Sequence, residues 1–126
     1  MKKTFLSQQA KEFRSKYNIQ SSRVQGTRTY QKNLIVEEFK EFLAAEGMLF
    51  RNNDQFPAEA LKELADLVYV CHQYAENMGW FLDEALDRVH ASNMSKLGED
   101  GLPIYREDGK VLKGPNYQPP TLTDLI

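Results

Sequence analysis

The chain has 126 residues, 41% hydrophobic and 27% charged, which is enough for one globular domain with a core and too few for two of ordinary size. Its net charge of −2 hides a split: residues 1–32 carry eight Lys or Arg against one acid, Glu12 (+7), and residues 33–126 carry eight against seventeen (−9). No basic recognition helix or aromatic RNA-binding motif accompanies the basic arm, so a nucleic-acid polymer is excluded as the expected partner, while an anionic ligand or the acidic face of a second subunit suits it.

In chain order, the opening MKKTFLSQQ has a basic pair but lacks the apolar run of a secretory signal. No later stretch is long enough to span a bilayer, so a cytoplasmic protein without membrane contact is expected. A first helix is predicted from Ser7, as N-cap, through Tyr17, and a second from Thr29 to about Glu46, closed by Gly47. Residues 47–57 read as a loop. Pro57 suits the first turn of a third helix running to Met78 and ending at Gly79, and a fourth covers about Phe81 to Leu97, stopped by Gly98. The remaining tail holds IYREDGKVL, with the short arms and Asp108-Gly109 pair of a hairpin. The expectation is one all-α domain over 1–126, like a four-helix bundle: a helical core over about 5–97, then a β-hairpin and extended tail over 98–126. Cys71, the single cysteine, lies in an apolar run and reads as a small buried hydrophobe.

Carboxylates break the apolar pattern of the second and third helices. At about 100° per residue from Leu34, the apolar arc runs from zero to about 200°; Glu38 falls inside it near 40°, and Glu41 and Glu37 lie near 340° and 300°. With Leu61 as zero, the third helix's arc sweeps from about 180° to 340°; Glu63 lies inside it near 200° and Asp66 on its border near 140°. Packed antiparallel, the two helices would bring Glu38, Glu41, Glu63 and Asp66 into one pocket.

Ionised carboxylates leave water only with a compensating partner. Lys40 and Lys62 are predicted to point away from them. A hard divalent cation fits better, and Mg²⁺, which uses a few carboxylates with waters and substrate phosphates, fits best, with Mn²⁺ as a substitute. A di-iron or di-manganese bundle would need ExxH pairs, whereas His72 and His90 both lack a Glu three positions earlier. His72 is expected at the surface and His90 in a core or pocket.

EEFKE followed by ELAD is similar to the EExxE…ExxD signature of the MazG-like, all-α nucleoside triphosphate pyrophosphohydrolases. That superfamily includes dimeric dUTPases, dCTP pyrophosphatases and phosphoribosyl-ATP pyrophosphohydrolases. VHASNMSKLGEDGLPIYREDGKVLKGPNY resembles the C-terminal segment of small stand-alone members, and the likeness covers about residues 30–120. It implies Mg²⁺-dependent hydrolysis of a (d)NTP between its α and β phosphates, giving the monophosphate and pyrophosphate. The same likeness implies Glu38, Glu41, Glu63 and Asp66 as metal ligands. It makes Glu37 a candidate for a further metal or for orienting the attacking water, Asn93 a contact to base or sugar, and Lys96 a phosphate ligand. Glu37 or Glu38 would take the water's proton. Arg106, Lys110 and Lys113 are further phosphate candidates, and Tyr117, Trp80, Phe50 and Phe56 are candidates for stacking on the base. Relatives that pair subunits imply a homo-oligomer, a dimer of four-helix units or a tetramer. The alternatives are phosphoribosyl-ATP hydrolysis and a non-enzymatic helical interaction protein.

Overall fold

The computed structural model describes residues 5–51, without the Phe50 side chain, and 57–126. Four α-helices follow in order, α1 (Leu6–Lys16), α2 (Gln25–Arg51), α3 (Pro57–Met78) and α4 (Leu82–Met94), with a short 3₁₀ turn, Thr123–Leu125, near the end. They fall into two compact units, Met1–Trp80 and Phe81–Ile126. No helix among the described residues is long and apolar enough to cross a membrane.

In the first unit α2 and α3 pack along their lengths and α1 lies on α3. α3 keeps its predicted bounds because both ends are marked chemically. Pro57 opens it, where a missing N–H is harmless, and Gly79 closes it with φ 74°. There Gly79 N–H donates to the Glu76 carbonyl and Trp80 N–H to that of Ala75, while Trp80 settles against Tyr74 with ring centroids 5.8 Å apart. Asn18, at φ 55°, ends α1 the same way.

α2 is longer than expected at both ends, starting at Gln25 rather than Thr29 and running through Gly47 to Arg51. A glycine inside a helix costs only about 1 kcal/mol, which packing against α3 offsets. The cap of α1 lies two residues earlier than predicted, with Phe5 and not Ser7 in the cap position.

The interior of this unit is largely polar. Arg14, only 4% exposed, donates to Ser21 Oγ, the Gln20 carbonyl, Gln73 Oε1 and Asn77 Oδ1 at 3.0–3.2 Å. Asn77 holds Ser22 through both its backbone N–H and its carbonyl, and Arg23 donates to the Met78 carbonyl at 2.8 Å. This network fastens the α1–α2 connection onto the C-terminal end of α3. Burial pulls the Arg14 guanidinium below its ordinary pKa, partly offset by Glu76. Burial pushes the half-buried Cys71 thiol up, in keeping with an apolar setting.

His72 corrects the sequence reading, for it is buried, with Nδ1 3.2 Å from the Val68 carbonyl. Its angle lies off the main apolar arc of α3, but α1 covers that side: Leu6 and Ala10 line the same cavity. His90 is exposed rather than in a core or pocket. Large apolar side chains on α2 and α3, among them Phe39, Leu43, Leu61, Leu64 and Val68, remain exposed.

In the second unit, α4 carries Asp83 and Glu84 in its first turn, where the helix dipole favours them. Arg88 forks onto Asp124 at 2.6 and 3.0 Å and also donates to Glu84 and to the Thr121 carbonyl. Phe81 N–H donates to the carbonyl of buried Leu125. The tail crosses the end of α4 at Gly114, whose N–H donates to the Lys96 carbonyl at 2.8 Å. A Cβ at 114 would sit 2.3 Å from the Leu97 carbonyl oxygen.

The predicted β-hairpin does not form. Its turn is present, with Gly109 at φ 89° and Gly109 N–H donating to the Arg106 carbonyl. The arms, however, make one isolated bridge, Tyr105 with Val111, and no strand occurs among the described residues. Two short exposed arms without a third strand or a covering face are marginal as a sheet.

Candidate functional site

Glu38 and Glu41 project from one face of α2 because they are three residues apart. Glu63 projects toward them from α3, and one carboxylate oxygen of each lies within 4.8 Å of the others. The inward angles read for Glu38 and Glu63 are thus realised: both are half-buried, and Glu38 Oε2 and Glu63 Oε2 are buried without a hydrogen-bond partner. Glu41 and Glu37 are exposed. Glu38 is held above the ordinary glutamate range, first by burial, then by a hydrogen bond with Glu41, then by repulsion from Glu41, Asp66 and Glu63.

Asp66 lies near enough to act on Glu38 but is engaged elsewhere. Lys62 Nζ sits 2.8 Å from Asp66 Oδ2 and 3.5 Å from Glu63 Oε1, which raises the lysine's pKa. This corrects the expectation that Lys62 points away from the acids. A helical angle fixes where a side chain leaves the backbone, and four methylenes let its head return to an acid one turn on. The i, i+4 spacing to Asp66 was the signal that could have found it.

Three carboxylates offer hard oxygen donors, with one oxygen of Glu38 and one of Glu63 buried and unpartnered, which is a donor set matched to a hard divalent cation. The cluster among the described residues is built from glutamates alone, with neither histidine in it.

The other sequence-derived candidates lie on the second unit or outside the described residues, except Trp80, which ends the first unit. Asn93, in the last turn of α4, is exposed, and Lys96 just beyond it is half-buried. Arg106 is clasped by Asp108, and Lys110 is exposed. Lys113 Nζ stands 4.7 Å from the centre of the Tyr117 ring, a cation–π arrangement that occupies both. Trp80 packs on Tyr74. The Phe50 side chain and Phe56 lie outside the described residues.

No curated protein matches the chain. A family model described as phosphoribosyl-ATP pyrophosphohydrolase matches residues 1–93, spanning α1 to α3 and nearly all of α4. With that match over an all-α chain whose acids meet on two packed helices, this protein belongs to the phosphoribosyl-ATP pyrophosphohydrolase family, a MazG-like all-α group of pyrophosphohydrolases.

Proposed function

We propose that the chain hydrolyses a nucleoside triphosphate, ribo or deoxy, between its α and β phosphates, releasing the monophosphate and pyrophosphate with Mg²⁺ or Mn²⁺. The observation that supports this most is the pair of buried, partnerless oxygens on Glu38 and Glu63 facing Glu41. An uncompensated buried carboxylate is expensive, and such a pair persists where a cation is to be held. Glu38, Glu41 and Glu63 would hold it, with Asp66 as the fourth acid. When bound, the metal supplies positive charge to the phosphate oxygens and acidifies the attacking water.

The rest of the chemistry asks mainly for positioning. Water attacks the α phosphorus, the bond to the bridging oxygen breaks, and pyrophosphate leaves with that oxygen. Glu38, with no donor on its inner oxygen, would accept the water's proton, and Glu37 stays a candidate for that role by the family likeness. By the family likeness, Asn93 and Tyr117 remain candidates for sugar or base, and Lys96, Arg106, Lys110 and Lys113 for phosphate. The exposed apolar side chains of α2 and α3 favour a homo-oligomer, dimer or tetramer. A monomer in analytical ultracentrifugation at micromolar concentration would remove that part. A cytoplasmic location belongs to the same proposal.

The family description favours a second substrate, phosphoribosyl-ATP, cleaved at the same bond. Incubation with a panel of (d)NTPs and phosphoribosyl-ATP plus Mg²⁺, assaying pyrophosphate separately from orthophosphate, decides between them. Orthophosphate alone contradicts α–β cleavage. No release from any member of the panel favours the helical interaction protein.

A further inference from the structure

Further along the same helix pair lies a second space that the carboxylate chemistry does not use. It is a cavity of about 330 Å³, far larger than one water needs. Phe13, Tyr30 and Tyr69 give it aromatic walls, and Arg14, Gln31 and Gln73 give it polar ones. All three polar residues are at least 95% buried. Gln31 Oε1 and Gln73 Nε2 have no hydrogen-bond partner. The orientation of Gln73 is fixed by its neighbour: Arg14 has only donors and gives one to Gln73 Oε1 at 3.2 Å, so the amide nitrogen is what remains. Near it is the Tyr69 hydroxyl, whose pKa burial raises and hydrogen bonding with Gln73 pulls partly back, though the contact leaves the Gln73 nitrogen unsatisfied.

The cavity therefore offers one unmet acceptor from α2 and one unmet donor from α3, between aromatic side chains. The guanidinium spends four of its five hydrogens on neutral acceptors at Ser21, Gln20, Gln73 and Asn77, and the atoms buried without any partner are those of uncharged amides. That favours a flat neutral ring over a phosphate. Position adds to this. Gln31 is seven residues from Glu38 on α2, and Gln73 seven from Asp66 on α3, so each pair shares a face about 10 Å apart at 1.5 Å per residue. A nucleoside spans a similar distance from base edge to α phosphate.

We propose that this cavity holds the base of the nucleotide whose phosphates meet the carboxylates. The base is a neutral heteroaromatic ring presenting an acceptor to Gln73 Nε2 and a donor to Gln31 Oε1. The proposal rests on the nucleotide reading above and gives the base a place apart from Tyr117 and Trp80. Sites built on such hydrogen bonds reject a ring that lacks them more strongly than one of altered size.

The test follows the side-chain amide resonances of Gln31 and Gln73 in the metal-free full chain, titrated with the common nucleoside 5′-monophosphates and with ribose 5-phosphate as the base-free control. At least one nucleotide should shift both amides and ribose 5-phosphate neither. Gln31→Leu, which removes the amide with its unpaired Oε1 and touches none of the four Arg14 hydrogen bonds, should weaken that nucleotide at least about tenfold and leave Mg²⁺ binding unchanged. Equal binding of ribose 5-phosphate, no shift with any nucleotide, or a shift on concentrating the protein alone each overturns the proposal, the last because a second copy then fills the cavity. The two readings fail separately. Base binding without pyrophosphate release removes the hydrolase and keeps the cavity; release that Gln31→Leu leaves unchanged, with no amide shift, does the reverse.

Discussion

The two ends of α3 handle buried polarity differently, one mostly with neutral groups that answer one another and the other with charged groups that repel. At the C-terminal end, Arg14, Gln73 and Asn77 place four guanidinium hydrogen bonds and two backbone contacts on partners. Near the N-terminal end, Glu38 and Glu63 each leave an oxygen buried and unanswered. Hydrogen bonds that answer one another, as around Arg14 and Asn77, hold the chain in place; atoms left over, Gln73 Nε2 among them, are completed by something from outside.

The comparison breaks most sharply at Glu38. Glu38→Gln should lower pyrophosphate release by more than about a hundredfold, since it removes a proposed ligand and not merely a supporting group. Its metal-free thermal midpoint should stay level or rise. A loss of stability matching the loss of activity would make the cluster structural. At the other end, Asn77→Ala should cost about 2–4 kcal/mol in denaturant unfolding, because it strands Arg14 and Ser22 together. Mg²⁺ affinity should stay at the wild-type value, and an unchanged denaturation midpoint would show that the network holds nothing.

Acidity separates the ends again. Because folding raises the pKa of Glu38, the folded chain holds that proton more tightly than the unfolded one. Its contribution is then fully present below the ordinary glutamate range and is lost as pH rises through the raised value. The thermal advantage of metal-free Glu38→Gln over wild type should therefore be largest at neutral pH and shrink on acidification through the raised value. An advantage independent of pH would mean that charge at Glu38 is not its source. The smallest effect is expected from Lys62→Met. Freed of a competing cation, Asp66 and Glu63 should bind Mg²⁺ a few-fold more tightly by calorimetry, roughly the scale of an exposed ion pair; weaker binding would make Lys62 part of the site instead.

Much of this was legible from residue order. Pro57 and Gly79 bounded α3 because each marks an end by its own backbone chemistry. The inward angles of Glu38 and Glu63 needed only the helical repeat. The start of α2 at Gln25 was hidden because Gly26 and Thr27 are poor helix formers, and its passage through Gly47 because packing decides there. Asp108-Gly109 announced a turn correctly, but whether arms become strands depends on a third partner that a local motif does not encode. The burial of Gln31, Gln73 and His72 depends on where α1 lies, and the reach of Lys62 depends on a flexible chain.

Gly114 extends this to other sequences. With carbonyl oxygens of Leu97 and Lys96 at 2.3 and 2.7 Å from where a methyl would begin, that position admits hydrogen and nothing bulkier while the tail keeps its course. Any natural variant bearing alanine there must route its last dozen residues differently, so this one position sorts relatives that share the strapped ending from those that share only the helices.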